Sequence, residues 1–438
     1  MESIKIIKHH IHRKRDKNLG ILELVAIALG GMIGGGIFTV LGISVSMIGV
    51  YTPLAFLFGG ILAFLAVYSY IKLAVYYQDE GATYSFFKRT FSDSPFGASL
   101  IGWWVIFGYI STLALYAYTF SSYAISGFEC ADNEFVRKIV AGLIILLFTL
   151  INIWSVKGMG KIEDLMVYSK LIILTVIAFV LINNANTSIP KLIETSDDIN
   201  ILSILIVASL TFVAFEGFQL VINAVNEMEE PEKNIPKSIY IALSLAMIIY
   251  FILSYGAIIA IPFETIIANQ EYALASGANR VLGHWGTDLV IAGALLATSS
   301  AISGTLFGAS RQMSVIAKDG YLPTILSKRK KNIPTYAIIT MSTLAFFLII
   351  VADLKVILEF SSVTFLLVSA LMAFANLKIY KKTSSSLFIT IVALFCLSIS
   401  MGMILYYEYT HQIEQLYFIS GLYFILSLGA FIYSYSKE

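Results

Sequence analysis

Charged side chains are scarce in this sequence. Asp, Glu, Lys and Arg make up 13% of its 438 residues, and hydrophobic residues make up 58%. A soluble domain carries about 25% charged residues, and a soluble protein this apolar would expose patches too large for water. The formal net charge is +1, which indicates neither a nucleic-acid partner nor an acidic one. The composition predicts an integral membrane protein.

Cysteine and histidine are also rare. The two cysteines, Cys130 in a polar loop and Cys396 in a hydrophobic segment, exclude a disulfide framework and a cysteine metal cluster. None of the five histidines falls in a predicted span, and H-E-x-x-H, G-x-S-x-G and phosphate-loop motifs are missing. The sequence therefore predicts no catalytic residues, no metal site, no cofactor and no enzymatic activity.

The first eighteen residues, MESIKIIKHHIHRKRDKN, are basic and lack the apolar core and cleavage site of a signal peptide. We expect residues 1–18 to form a cytoplasmic tail. Its three histidines could bind a metal, but a solvated tail is the simpler interpretation.

Long hydrophobic runs dominate the rest of the chain. A transmembrane helix needs about 20 mostly apolar residues. About twelve segments qualify, which predicts an all-α membrane protein of about 12 transmembrane helices. They lie near residues 20–48, 53–76, 96–125, 138–156, 161–183, 201–226, 238–262, 285–316, 335–352, 354–379, 385–408 and 413–436.

The basic residues predict the orientation. With the N-terminus inside, most of the 29 Lys and Arg residues fall on the cytoplasmic side, as the positive-inside rule requires. An even number of spans then places both termini in the cytoplasm. The exceptions are Lys170, within a span, and five outer residues: Arg137, Lys138, Lys191, Arg280 and Lys355.

Two of the spans are interrupted. The first contains GGMIGGG at 30–36, and the sixth contains AFEGF at 214–218. Each glycine costs a helix interior up to about 1 kcal/mol relative to alanine. Small residues also serve close helix packing, but five glycines in seven residues favour unwinding.

Paired interruptions at matching places in two halves are typical of inverted-repeat transporters. A break frees peptide groups inside the membrane, where they need protein or a watery cavity. Freed N–H groups suit a carboxylate, and freed carbonyls suit an ammonium. The two breaks could therefore hold both ends of an amino acid.

Three motifs resemble the amino acid–polyamine–organocation superfamily. GGMIGGGIF at 30–38 is similar to its first helix, and the segment 212–238, with Glu227, Pro231, Ile235 and Pro236, is similar to its sixth helix and following loop. SRQMSVIAKDGYLP at 310–323 is similar to the exit of its eighth helix. The similarity covers roughly residues 20–380.

The resemblance implies a leucine-transporter-type fold with two inverted five-helix repeats, at 19–184 and 200–380, followed by helices 11 and 12 at 385–436. Helices 1 and 6 would be broken. It implies that N–H groups of Gly34, Gly35 and Gly36 bind the substrate carboxylate. Carbonyls of Met32, Ile33 and Phe215 would receive the α-amino group, beside Glu216 and Gly217.

Lys170 lies in the fifth span, where a central lysine costs about 2.5–3.5 kcal/mol. It could snorkel to the cytoplasmic interface, although about ten residues is a long reach. The resemblance implies another role: in sodium-independent relatives, a lysine of this helix puts its ammonium where others hold sodium. Its partners here would be the Gly30 carbonyl and the hydroxyls of Ser299 and Ser300.

The resulting prediction is a sodium-independent, proton-coupled amino acid transporter of the cell membrane that works by alternating access. An amino acid or polyamine exchanger and a transporter-like receptor stay open as alternatives. Glu216 could bind a proton, favour cationic substrates or satisfy freed N–H groups. Cys130 lies where some relatives bond to a glycoprotein subunit, but the chain otherwise resembles members that need no protein partner.

Overall fold

The chain is all-α across the residues that can be described. The structure is a computed structural model that describes residues 19–154, 156–185, 187–189, 192–193, 199–330 and 332–435, without side chains for 156–164, 280 and 282. Within these ranges the only extended pairings are two isolated β-bridges. The predicted tail at 1–18 lies outside the described residues.

Sixteen α-helices are described in these ranges. In chain order they are α1 Ile21–Met32, α2 Gly35–Ile48, α3 Thr52–Tyr77, α4 Ala82–Thr90, α5 Pro95–Ile125, α6 Glu134–Trp154, α7 Val156–Asn183, α8 Ile201–Thr211, α9 Gln219–Asn223, α10 Pro231–Ala260, α11 Phe263–Ala268, α12 Ala273–Lys318, α13 Thr335–Val351, α14 Leu354–Lys378, α15 Leu387–His411 and α16 Ile413–Tyr435.

Ten described segments are long and apolar enough to cross a membrane, and one of them joins α2 and α3 into a 43-residue stretch. The predicted all-α membrane fold class is confirmed. Each predicted hydrophobic segment coincides with a helix or an interrupted helix. The largest boundary error is in α12, which begins at Ala273 rather than near 285 and turns at Gly283, where φ is +67°.

The first interruption separates α1 from α2. Ile33 and Gly34 leave helical geometry, at φ −82°, ψ 78° and φ −119°, ψ −138°. The Gly34 N–H turns back to the Met32 carbonyl at 2.9 Å. The glycine run thus unwinds the helix over two residues, as the sequence predicts, and α2 restarts at Gly35.

The second interruption separates α8 from α9. After α8 the chain tightens into a 3-10 turn at Phe212–Phe215 and then extends at Glu216, with φ −71° and ψ 149°. Gly217 follows at φ +120°, a conformation that side-chain-bearing residues rarely adopt. The five-residue helix α9 completes the segment.

The two interruptions pack directly against each other. A methyl group on Gly217 would lie 2.4 Å from the carbonyl carbon of Gly31, and one on Gly36 would lie 2.7 Å from the Ala214 Cα. Only a backbone without side chains permits this approach. The crossing brings peptide groups from both breaks into one buried region.

Large apolar side chains cover the periphery. Trp154, Phe388 and Phe424 are 86%, 76% and 70% exposed on α6, α15 and α16. Such patches are too extensive for a protein surrounded by water, so these faces suit lipid. The broken helices, in contrast, are buried in the centre.

Alanine substitutions test the glycine contact between the breaks. Gly217→Ala should abolish transport and lower the melting temperature, because the new methyl group clashes with backbone and the positive φ is strained. Gly402→Ala in α15 is the control, since nothing lies within 4 Å of its Cβ position. It should stabilise that helix by up to about 1 kcal/mol.

Thermal unfolding of the detergent-solubilised protein and uptake into proteoliposomes measure the two effects. If Gly217→Ala transported and melted like the wild type, the two breaks would not be in contact.

Candidate functional site

Lys170 connects α7 to the first break and to α12. Its buried ammonium nitrogen lies 2.6 Å from the Ile33 carbonyl oxygen, 2.6 Å from Ser300 Oγ and 3.2 Å from the Gly30 carbonyl oxygen. The Ser300 hydroxyl also lies 3.5 Å from the Gly30 oxygen. A buried ammonium is tolerated only with such polar partners, so the lysine does not snorkel to the interface in this structure.

The structure brings two of the predicted Lys170 partners, Gly30 and Ser300, to the ammonium. Ser299 is the neighbouring residue and is half-buried, and the described hydroxyl contact comes from Ser300. The Ile33 carbonyl is a further partner of Lys170. The sequence did not predict this contact, because the Ile33 carbonyl was expected to bind the substrate amino group.

Tyr250 joins the two breaks. Its hydroxyl lies 2.8 Å from the Met32 carbonyl oxygen and 2.9 Å from the Ala214 carbonyl oxygen. A hydroxyl has one proton, so Tyr250 can donate a hydrogen bond to only one of the two carbonyls at a time. The ring is fully buried and packs edge-on against Phe215 at a centroid distance of 5.1 Å.

Helix α5 closes over the glycines of the first break. The Tyr116 hydroxyl donates to the Gly31 carbonyl at 3.2 Å. A methyl group on Gly34 would lie 3.0 Å from the Tyr116 ring, and one on Gly35 would lie 2.7 Å from Thr119 Oγ1. The glycines therefore let α5 reach the backbone of the break.

Glu216 is buried at the second break. One carboxylate oxygen accepts from the Gln219 amide, and the other, Oε1, has no hydrogen-bond partner. The freed Gly217 N–H is satisfied at 3.1 Å by Gln219 rather than by Glu216. The sequence left three roles open for Glu216, one of which was to satisfy freed N–H groups. At Gly217, the Gln219 side chain accepts that hydrogen bond instead.

A polar cleft of about 670 Å³ opens at the end of the molecule that carries α4. Ion pairs cross it: Lys88 to Asp319 at 2.7 Å, and Arg329 to Glu80 at 3.7 Å. Asn223, which ends α9, donates to the Glu80 carbonyl at 3.2 Å. The cleft is therefore linked to the second broken helix.

The opposite end is held shut by ion pairs around Arg137. Its guanidinium lies 2.6 Å from Glu271 and 2.9 Å from Glu134, and the Tyr118 hydroxyl donates to Glu134 at 2.8 Å. Burial raises the pKa of the Glu271 carboxyl, and the neighbouring Arg137 lowers it in part. The network ties α5 and α6 to the turn at 270–272.

That turn also covers α2. A methyl group on Gly42 would lie 2.2 Å from the Gln270 carbonyl oxygen, so the turn rests on the helix that follows the first break. This end is closed, whereas the α4 end has an open cleft.

Sequence reasoning missed Tyr116, Tyr250 and the Arg137 network. The chain has 25 tyrosines, and nothing in the local sequence separates these two from tyrosines that face lipid. The positive-inside rule marked Arg137 only as one of the outer charges. Helix α5 contains four tyrosines and no charged residue. Its sequence therefore did not indicate which tyrosine would contact the first break.

Tyr250→Phe tests the bridge between the breaks. The substitution removes the described donor of the buried Ala214 carbonyl and one of the two donors near the Met32 carbonyl, and one unsatisfied buried group costs about 1–3 kcal/mol. We expect a lower melting temperature and slower transport. Tyr409→Phe is the matched control because Tyr409 is 67% exposed, and it should behave like the wild type. Equal behaviour of both variants would show that the bridge contributes nothing.

Comparison with known proteins agrees with this architecture. A family model described as amino acid permease matches residues 19–431. An uncharacterized protein of Methanocaldococcus jannaschii is 29% identical over 81% of each chain. The inner membrane transport protein YbaT of Escherichia coli is 28% identical over 80% of this chain and 81% of its own.

A mouse relative, large neutral amino acids transporter small subunit 2, is 25% identical over 78% of this chain and 66% of its own. The family match covers nearly all described helices, including both breaks, α4 and the helices that carry Lys170 and Ser300. The chain belongs to the amino acid permease family.

Proposed function

We propose that the protein is a secondary active transporter that carries amino acids across the cell membrane by alternating access, independently of sodium and coupled to protons. The observation that carries this proposal is the Lys170 ammonium, held between the first break and α12 by three oxygen atoms. Family membership and the names of the relatives support amino acids as the substrates.

The substrate carboxylate would bind where α2 begins. The first N–H groups of a helix have no intrahelical acceptor and carry partial positive charge. Gly35 and Gly36 provide two of them without side chains in the way. The Gly34 N–H reaches the Met32 carbonyl in this structure, so it would have to turn toward the substrate.

The substrate α-amino group would bind the carbonyls of the two breaks. The Ile33 carbonyl accepts from Lys170, but a carbonyl has two lone pairs and can accept a second hydrogen bond. The Met32 carbonyl accepts from both Tyr250 and the Gly34 N–H, so it would accept from the substrate only after Gly34 turns away. The Phe215 carbonyl and the partnerless oxygen of Glu216 would complete this group, beside Gly217.

The place of the ammonium supports the proposed sodium independence. The Gly30 and Ile33 carbonyls and the Ser300 hydroxyl are the hard oxygen ligands that suit a cation, and Lys170 occupies them with its own charge. A sodium ion at this position would meet electrostatic repulsion.

The proposed proton coupling is supported by the contacts of the Lys170 ammonium with the first break, which stabilise its charge. All the proposed binding residues from Met32 to Gly36 are buried, so an amino acid reaches them only when helices move apart. Movement of α1 relative to α7 and α12 would remove oxygen atoms from the ammonium. A buried charge that loses its partners is costly, so the lysine would release a proton in that state.

In this scheme the two ends of the molecule are gates. The cleft beside α4 would face the cytoplasm with both termini, and the Arg137 network would face the outside. The breaks would belong to the inverted repeats at 19–184 and 200–380, with 385–436 peripheral. No protein partner is part of the proposal.

Lys170→Met tests the coupling. Purified protein in liposomes should take up amino acid faster when a pH gradient is imposed, with equal rates in sodium and choline buffers. The variant should lose most of this stimulation, because it lacks the ammonium that bonds to the first break. Lys237→Met, at an exposed position, is the control and should keep the full response.

An absolute sodium requirement in the wild type would contradict the proposal. Full pH stimulation in a folded Lys170→Met protein would also contradict it. Uptake that required amino acid inside the liposomes would identify an exchanger instead.

Competition by substrate analogues tests the carboxylate site. For any amino acid that is transported, its carboxamide should compete at least about tenfold more weakly, because charge-assisted hydrogen bonds are roughly twice as strong as neutral ones. The N-acetyl derivative is the companion probe for the carbonyl side and should also compete weakly. Equal competition by the carboxamide would exclude binding of the carboxylate to the N–H groups of α2.

A further inference from the structure

Two buried carboxyl groups face each other where α14 begins and α15 ends. Glu359 lies in the second turn of α14 and Glu408 in the last turn of α15, and both residues are 0% exposed. The Gln415 amide nitrogen, turned toward its acceptors, lies 2.6 Å from Glu359 Oε2 and 3.2 Å from Glu408 Oε2. One donor thus touches both carboxyl groups, which holds them close together.

The positive charge beside this pair is insufficient for two carboxylates. Lys355 Nζ lies 3.7 Å from Glu359 Oε1 and 3.3 Å from the Tyr407 hydroxyl, and its side chain is 27% exposed. One ammonium neutralises one carboxylate. A second carboxylate at this depth would stay uncompensated, and a buried charge without a partner is strongly destabilising.

The neighbouring elements provide no other cation. His411 stacks on Tyr407 and bonds to Thr410 on the exposed side of α15. Asp353 and Glu414, the nearest other acidic residues on the ends of α14 and α16, are exposed.

The other described helices packed against α14 also provide no second cation near the carboxyl pair. The sequences of α5, α8 and α13 contain no Asp, Glu, Lys, Arg or His. Lys72 of α3 bonds to the Ser384 carbonyl, beyond the opposite end of α14. Lys88 and Arg89 of α4, which also packs on α14, pair with Asp319 and Asp79. Among the described residues, the pair therefore has Lys355 as its cation.

Each carboxyl group also has an oxygen that lacks a hydrogen bond. Glu359 Oε1 and Glu408 Oε1 are both buried and have no hydrogen bond, since the Lys355 ammonium, 3.7 Å from Glu359 Oε1, forms an ion pair at more than hydrogen-bond distance. Buried polar atoms are nearly always satisfied, so two such oxygens in one place indicate a missing donor. A proton on one carboxyl group would convert an acceptor into a donor and remove the surplus charge in one step.

We propose that Glu359 and Glu408 form a proton-binding site at the outer ends of α14 and α15 that holds one proton between the two carboxyl groups. The site is separate from Lys170 and does not depend on the transport mechanism. Paired carboxyl groups that cannot both ionise share a proton in this way. Among the described residues, no group of three or more His, Cys, Asp or Glu side chains could hold a metal ion here.

The site gives the protein a stability that depends on pH. The shared proton lets α14, α15 and the start of α16 stay together, because Gln415 of α16 is bonded to both carboxyl groups. At alkaline pH the proton leaves, two negative charges face each other, and the three helix ends repel. Protonation stabilises the folded state here, so the stability is present at lower pH and is lost as the pH rises.

Glu408→Gln and Glu359→Gln test the site, because each glutamine imitates a neutral carboxyl group. The melting temperature of the full-length protein in nanodiscs is measured from pH 6 to pH 10 in choline chloride. The wild type should lose roughly 3 °C or more at alkaline pH. Each variant should show a smaller loss, and the exposed control Glu264→Gln should match the wild type.

Infrared spectroscopy at pH 7 provides a second readout. The wild-type-minus-variant difference spectrum should contain the C=O stretch of a protonated carboxylic acid, and the corresponding spectrum for Glu264→Gln should not. Lys170→Met should keep both the band and the alkaline loss of stability, which separates this site from the proposed coupling site.

Three results would overturn the proposal. The first is a wild-type melting temperature that does not fall at alkaline pH, or that falls equally in Glu408→Gln. The second is restoration of alkaline stability by sodium chloride, which would identify a metal-cation site. The third is failure of Glu408→Gln to fold, because a neutral side chain of the same shape should be tolerated.

Discussion

Peptide groups that leave a helix at membrane depth must find partners inside the protein, because lipid offers none. The two interruptions expose several such groups at once, and side chains from neighbouring helices bond to several of the freed carbonyls. The Lys170 ammonium donates to the carbonyls of Gly30 and Ile33, and the Tyr250 hydroxyl contacts the carbonyls of Met32 and Ala214. The arrangement of the surrounding helices follows from the need to bring these side chains to the breaks.

The same constraint explains why glycine is concentrated here. A donor on a neighbouring helix reaches a broken backbone only if no side chain stands between them. Gly31 and Gly217 allow the breaks to touch, and Gly34 and Gly35 allow α5 to approach with Tyr116 and Thr119. In the proposed function, a site made of peptide groups would bind the charged ends common to amino acids, and the surrounding side chains would select among them.

The ends of the molecule use a different interaction, the ion pair. Arg137 with Glu134 and Glu271 closes one end, and Lys88 with Asp319 lies across the cleft at the other. Exposed pairs such as the second are worth little, whereas the Arg137 guanidinium is only 5% exposed, although its acidic partners Glu271 and Glu134 are 32% and 45% exposed. The difference fits a structure that is closed at the Arg137 end and open at the α4 end.

Sequence alone predicted the helices well because the membrane imposes length and apolarity on each span. It also predicted both breaks, since five glycines around Met32 and Ile33 and a carboxylate before Gly217 are incompatible with an ordinary helix. It did not predict Tyr250 or the Glu359–Glu408 pair. These depend on which distant helices become neighbours, and neither periodicity nor composition records that. Lys170 could be identified because a lysine inside a span is conspicuous by itself.

An experimental structure with a bound amino acid would test the central claim most directly. The account predicts that the substrate carboxylate lies within hydrogen-bond distance of the N–H groups that begin α2, and that its ammonium contacts carbonyls of the two breaks. A substrate bound elsewhere, or a first helix that runs without interruption through its glycines, would contradict it.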